Sequence, residues 1–240
     1  MLAIALLAGL TTAVLTVLIL ASLASPWLKL KKTGLPFVGY LKNYGRNNFR
    51  DGELLFITQN LLPAGAPSGR QSILFTGRYQ TAFVPFLHAL MPKDWKVIRL
   101  DLLSGSDVSV VGLYDYIQNN IPIKDIILHD QQGLPYICLN CPDEVTNYFA
   151  LRSESKMAAF FEELKAYSII LITADPLDSF PNALALLPYA SKVVVAHHAE
   201  DEAQNFYKVI RALKDNHAPG LCYLIYNVPT EHYVTEKFWL

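Results

Sequence analysis

Charge is sparse in this sequence and favours neither sign: 17% of the 240 residues are charged, and 20 Lys and Arg face 21 Asp and Glu. That balance excludes a general polyanion binder, whose affinity comes from clustered cations that release counterions, so no nucleic-acid partner is expected. Cysteine is scarcer still, with three residues; an odd, small number builds no disulfide framework and fits a reducing compartment. Low-complexity tracts and internal repeats are missing as well. What is abundant is apolar surface. With 52% hydrophobic and 12% aromatic residues and a mean hydropathy of +0.24, the chain is not a solvated coil. Its length suits one ordinary domain plus one extra element.

The extra element is N-terminal. No charged residue occurs from Met1 to Pro26, and Leu, Ala, Ile and Val dominate, with Thr11, Thr12, Thr16, Ser22 and Ser25 as the hydroxyl interruptions. About 20 apolar residues cross the hydrocarbon core as a helix, whose backbone satisfies its own polar groups. Residues 1–26 therefore predict a transmembrane helix in contact with the lipid bilayer. A cleaved signal peptide, cut near Ala21-Ser22-Leu23-Ala24-Ser25, is the alternative, but a basic leader region is missing and the apolar run is too long. Lys29, Lys31 and Lys32 follow the span, so the positive-inside rule predicts an inner-membrane, single-pass protein with Met1 periplasmic and the remainder cytoplasmic.

Beyond a juxtamembrane segment and linker over 27–70, short apolar runs alternate with helical periods. The runs at 72–76, 95–100, 134–139, 168–172, 192–196 and 221–225 read as strands covered on both faces. A helix is expected over 51–61 and another over 182–187. Met157, Phe160, Phe161 and Leu164, and likewise Phe206, Val209, Ile210 and Leu213, recur at i, i+3, i+4, i+7 and give two amphipathic helices. Alternation of this kind predicts a doubly wound, mostly parallel α/β sheet over 71–229, with a tail over 230–240.

In such sheets chemistry sits at the carboxyl ends of the strands. The first turn, Thr76-Gly77-Arg78-Tyr79-Gln80-Thr81-Ala82-Phe83-Val84, stands where a phosphate loop belongs. A phosphate loop needs several glycines, a lysine for the outer oxygens and a hydroxyl for magnesium. Only Gly77 is present, Pro85 is read at the start of the following helix, and no lysine comes before Lys93.

Two further groups catch the eye. Cys138 and Cys141 form a C-x-x-C without a second pair or nearby histidines, and read as ordinary thiols at a strand end. His197-His198 with Glu200 and Asp201 has metal-ligand residue types, yet lies between a strand and a helix whose start favours acids; no metal site is assigned.

The segments Gly34-Leu35-Pro36-Phe37-Val38-Gly39, Glu53 to Leu61, Val97-Ile98-Arg99-Leu100-Asp101, Gly112-Leu113-Tyr114-Asp115-Tyr116-Ile117 and Tyr167 to Pro176 occur in a telling order, with Asn227 closing the last strand. From about Gly34 to Asn227 this order resembles the cytoplasmic domain of bacterial tyrosine kinases of capsule and exopolysaccharide synthesis. Those are deviant P-loop ATPases related to the chromosome-partitioning and division-site ATPases. The resemblance implies a P-loop-ATPase-like fold and a set of nucleotide-site positions at Gly77, Arg78, Asp101, Thr173, Asp175 and Asn227.

Departures from the family's pattern carry the functional expectation. Asp101 matches the first aspartate of the family's extra acidic motif, but Leu103 stands where the second belongs and no arginine follows. Thr173 occupies the carboxylate position of Walker B. The oligomerisation helix of the family carries Glu and two arginines, whereas here Glu53 is followed by Phe56 and Gln59. Phosphoryl transfer depends on charge placed around phosphate and metal, so the resemblance with these losses implies a degenerate, non-catalytic member: no catalytic residue, no metal ligand, and no ATP or magnesium cofactor. The expected role is a membrane-anchored scaffold or regulator in exopolysaccharide or capsule biosynthesis and export, with a polysaccharide co-polymerase or glycosyltransferase complex as partner. The alternative is an atypical ATP-binding protein or tyrosine autokinase of the same pathway, with Arg78 on phosphate and Asp175 or Asp178 reaching magnesium through water.

Overall fold

Runs such as Ile169-Ile170-Leu171-Ile172 are apolar on both faces, so a strand built from them is stable only if helices cover it on each side. The computed structural model describes residues 33–42, 49–62, 69–77, 80–103, 110–141, 153–176, 182–198 and 202–226, and there it has that architecture. Eight strands form one sheet: β1 (Phe37–Leu41), β2 (Gln71–Gly77), β3 (Val97–Leu102), β4 (Leu128–His129), β5 (Pro135–Cys138), β6 (Ile169–Ala174), β7 (Lys192–His198) and β8 (Cys222–Tyr226). Their order is β1-β8-β7-β2-β6-β3-β5-β4. Neighbours are parallel except the β4–β5 pair.

Seven helices flank the sheet among the described residues: α1 (Asp51–Leu61), α2 (Gln80–Leu90), α3 (Leu113–Asn119), α4 (Ile123–Ile126), α5 (Glu154–Glu163), α6 (Asn182–Leu186) and α7 (Ala203–Asp215). On one face, Leu54 and Ile57 of α1 and Phe83 and Leu87 of α2 pack on Phe75, Leu171, Val194 and Leu224. On the other, Leu113 of α3, Phe160 and Phe161 of α5 and Phe206 and Ile210 of α7 pack on Leu74, Leu100, Ile170 and Ile172. The alternation of Ile169 and Leu171 against Ile170 and Ile172 divides the strand between the two cores.

The amphipathic periods hold, with Met157, Phe160, Phe161 and Leu164 buried, and Phe206, Ile210 and Leu213 buried in α7. Three features depart from the sequence reading. Phe37–Leu41, within the segment read as juxtamembrane, is an edge strand that pairs parallel to β8. Its pairing partner lies almost the whole chain away, so no local pattern announces it. Two-residue β4 is likewise too short to carry a period. Pro85 falls inside α2 rather than at its start; the helix begins five residues earlier, so the proline removes one i→i−4 hydrogen bond of the ladder.

The 1–26 segment lies outside the described residues, and among the described residues no helix is long and apolar enough to cross a membrane. Arg78, Asn227 and the 230–240 tail also lie outside them.

Candidate functional site

Parallel pairing brings the ends of β2, β6, β3 and β5 to one edge. Phe75 stands beside Thr173, Thr173 beside Asp101, and Asp101 beside Cys138. The structure therefore brings together Gly77, Asp101, Thr173 and Asp175, four of the six positions singled out in the sequence. Of this aligned row, only Asp101 is a carboxylate. Phe75 is fully buried and meets Phe83 of α2 edge-on at 6.0 Å.

Asp101 is committed to its neighbours. Arg99 and Asp101 are two apart on β3, so their side chains share a face. The Arg99 Nε–H donates to both carboxylate oxygens, at 3.1 Å to Oδ1 and 2.9 Å to Oδ2. Thr173 Oγ1 lies 3.2 Å from Asp101 Oδ1 and 3.3 Å from the Leu100 carbonyl oxygen. Arg99 is only 6% exposed, which holds its fork firmly, and the fork extends further: Nη1 lies 3.5 Å from Asp130 Oδ2, and the guanidinium stacks 5.0 Å from the Tyr136 ring centre. Burial pushes the Asp101 carboxyl above the ordinary carboxylate range, opposed by the Arg99 charge and the Arg99 and Thr173 hydrogen bonds. Partial burial works in the same direction on Asp130, but the Leu134 and Gln132 N–H donors and the Arg99 charge outweigh it and hold this acid below its usual value. Asp130 Oδ1 accepts from those two amides at 3.0 and 2.9 Å, which fixes the β4–β5 turn.

His88 of α2 completes the cluster from above. Burial, reinforced by the Arg99 charge, lowers its pKa to about 4 despite Asp130 and a hydrogen bond to the Val97 backbone. The imidazole is thus neutral at pH 7, with Nδ1 buried and unpartnered. A cation on this ring would stand beside a guanidinium in a low-dielectric site, which explains the direction of the shift.

At the end of β2 the constraint is steric. Gly77 has φ +113°, and a Cβ there would lie 2.1 Å from the Ala196 carbonyl oxygen of β7. Only glycine fits where the two backbones approach this closely. Thr76 Oγ1 donates to the Asp175 carbonyl oxygen at 3.2 Å, tying β2 to the segment after β6. Asp175 is itself buried, at 7% exposure.

The Gly112-Leu113-Tyr114-Asp115-Tyr116 segment is a helix corner. The Gly112 N–H donates to Asp115 Oδ2 at 3.1 Å, and the Asn140 and Asn119 side-chain amides donate to the same carboxylate at 2.6 and 3.0 Å. A Cβ on Gly112 would lie 2.5 Å from the Cys138 carbonyl oxygen. Asp115 thus docks the start of α3 onto the end of β5 and is spent on that task.

Other conspicuous residues take core or edge positions. His197 and His198 point to opposite faces of β7, one against Phe206 at 4.8 Å and the other against Tyr226 at 5.8 Å. Cys138, Cys141 and Cys222 are buried and form no disulfide. Tyr223 and Tyr226 belong to β8. Glu53 accepts from the Lys42 N–H at 3.0 Å and so closes the end of β1.

Sequence reasoning missed Arg99, Asp130, Tyr136 and His88. The first had a signal: a charged pair, Arg99-x-Asp101, inside an otherwise apolar strand shares one face and must be mutually compensated when buried. The others converge only through the sheet order.

No family model matches the chain, and no curated protein matches it. Solved structures do. The chimerical protein CapA2B2 superposes with TM-score 0.69 at 16% identity, covering 83% of this chain and 97% of that one. The kinase domain of the Escherichia coli tyrosine kinase Etk gives 0.68 at 13% identity over 83% and 92%, and the BceF tyrosine kinase domain 0.67 at 15% over 84% and 97%. A cobyrinic acid a,c-diamide synthase from Mycobacterium smegmatis, solved with an ATP analogue and magnesium, gives 0.52 at 15% identity over 65% and 74%. The fold is that of these bacterial tyrosine kinase domains.

Proposed function

We propose that this chain is a non-catalytic relative of the bacterial tyrosine kinases, anchored in the inner membrane by residues 1–26. On this reading the domain faces the cytoplasm and acts as a scaffold or regulator for a polysaccharide co-polymerase or glycosyltransferase complex in exopolysaccharide or capsule biosynthesis and export. One observation carries the reading: Asp101, the single acid of the aligned row at the carboxyl edge, has both oxygens on Arg99 and a further contact to Thr173.

A magnesium ion needs oxygen ligands with negative charge to spare. Here the acid is already compensated by a buried guanidinium, whose own charge repels a divalent cation, and the neighbouring position is a hydroxyl. Asp101 and Thr173 do not fit a magnesium-nucleotide. The lack of a lysine in the Gly77 turn points the same way, since the ammonium that would hold the outer phosphate oxygens is missing and Arg78 is the turn's single cation.

The test pairs chemistry with company. The chain purified from membranes in mild detergent is expected to show no tyrosine phosphorylation after incubation with Mg-ATP, while polysaccharide-assembly proteins co-purify with it. Time-dependent autophosphorylation on tyrosine would overturn the non-catalytic reading, and purification as an isolated chain would overturn the scaffold.

A further inference from the structure

The two edges of the sheet differ in charge. In a parallel sheet all strands start at one edge, and the residues next to those starts line it. Arg70 directly precedes β2, Lys93 and Lys96 precede β3, Lys165 lies in the turn before β6, and Lys214 ends α7 ahead of β8; all five are exposed. Backbone bonds join these turns into one surface, since the Gln71 N–H donates to Ser168 O at 2.8 Å and the Ser168 N–H to Lys96 O at 2.7 Å. The nearby acids are partly engaged: Glu162 pairs with Lys165 at 3.0 Å and so engages that lysine too, Asp215 pairs with Arg211 at 3.8 Å, Glu163 accepts from Tyr116, and Asp130, in the turn before β5, lies on Arg99, leaving Asp94 between the two lysines. The opposite edge carries the acids Glu53, Asp101, Asp115 and Asp175, with Lys42 and Arg50 as cations beside them.

The chain enters at the basic edge. Thr33 leads into β1, and its carbonyl oxygen accepts from Lys214 Nζ at 3.2 Å. Only residues 27–32, three of them lysines, separate Thr33 from the uncharged run. At no more than about 3.5 Å per residue, the seven steps from Pro26 to Thr33 keep the two within roughly 25 Å.

We infer that this amino edge rests on anionic phospholipid headgroups, which holds the carboxyl edge and its Arg99–Asp101 cluster facing away from the bilayer. The inference rests on the reading of residues 1–26 as a membrane span. An anionic leaflet attracts each nearby Lys or Arg by a factor of about five, and salt screens the attraction.

Amide hydrogen exchange of the full chain in lipid nanodiscs tests it, comparing neutral phosphatidylcholine with discs about one-third phosphatidylglycerol. Exchange in the 92–97 and 214–221 segments is expected to slow at least about fivefold in the anionic discs, and to recover in roughly 0.5 M NaCl. The Lys93→Glu/Lys96→Glu variant is expected to lose the protection around its own positions, with exchange over 112–119 unchanged as the control for folding. Equal exchange in both discs, from a chain embedded in them, overturns the docking and leaves the span standing. Protection that is the same in neutral discs or indifferent to salt overturns it too, and marks an apolar or protein contact. A chain that never enters the discs overturns the span and the docking together.

Discussion

The ends of β2 and β3 lie at the same edge of the same sheet, yet they are closed by different physics. At β2 closure is steric: Gly77 passes so near the Ala196 carbonyl that no side chain fits. At β3 closure is electrostatic: Arg99 and Asp101 hold each other, with Thr173, Asp130 and Tyr136 around them. Both positions match nucleotide-site positions in the family resemblance, and in this chain both have work within the fold. A site can keep its scaffold through backbone contacts while its polar groups turn inward on one another.

The sharpest break of that contrast is Gly77→Val. It places a branched side chain against a backbone carbonyl at a φ that suits glycine, and is expected to cost more than about 4 kcal/mol, enough to abolish recovery of folded protein. Relief cannot come from any side-chain change nearby, because the obstacle is main chain. The electrostatic half behaves differently. Arg99→Met leaves Asp101 buried without its partner and is expected to cost about 3–5 kcal/mol by chemical denaturation, whereas Arg99→Met combined with Asp101→Leu should recover most of it. A double variant no more stable than the single one would show that the pair is not the closing element.

Smaller effects refine the picture. Asp115→Ala removes the acceptor for Gly112, Asn119 and Asn140, and is expected to cost about 1–2 kcal/mol with the fold unchanged by circular dichroism. His88 adds a pH signature. Its folded pKa is about 4 against 6.5 for an ordinary imidazole, so below pH 6.5 the unfolded chain takes up a proton that the folded chain refuses. Stability should therefore fall as pH drops from 7 to 5, by up to roughly 1 kcal/mol per pH unit, and His88→Leu should flatten that slope. The mildest change is Glu53→Gln at the end of β1, expected to cost under about 1 kcal/mol in thermal unfolding.

Much of the sheet was legible because burial on both faces leaves a plain mark: continuous runs such as 168–172 and 192–196 have no stable exposed alternative. Helices α5 and α7 were equally plain from the spacing of Phe160 and Phe161, and of Phe206 and Ile210. Edge strand β1 was not, since its register is set by β8 and a glycine interrupts its short run. For the site, Gly77, Asp101 and Thr173 were picked out through the family resemblance, and their actual partners were not. Asp130, Tyr136 and His88 reach Arg99 from three other segments, and that convergence depends on β5 lying beside β3 and on α2 crossing above, which no local spacing encodes.

Everything turns on whether the Arg99–Asp101 pair leaves room for a magnesium-nucleotide. Isothermal titration of the detergent-purified chain with Mg-ATP measures this directly. No binding heat up to about 1 mM nucleotide is expected; saturable binding with a dissociation constant of about 10 μM or tighter, lost in Asp101→Asn, would contradict the closed ion pair and restore a nucleotide site.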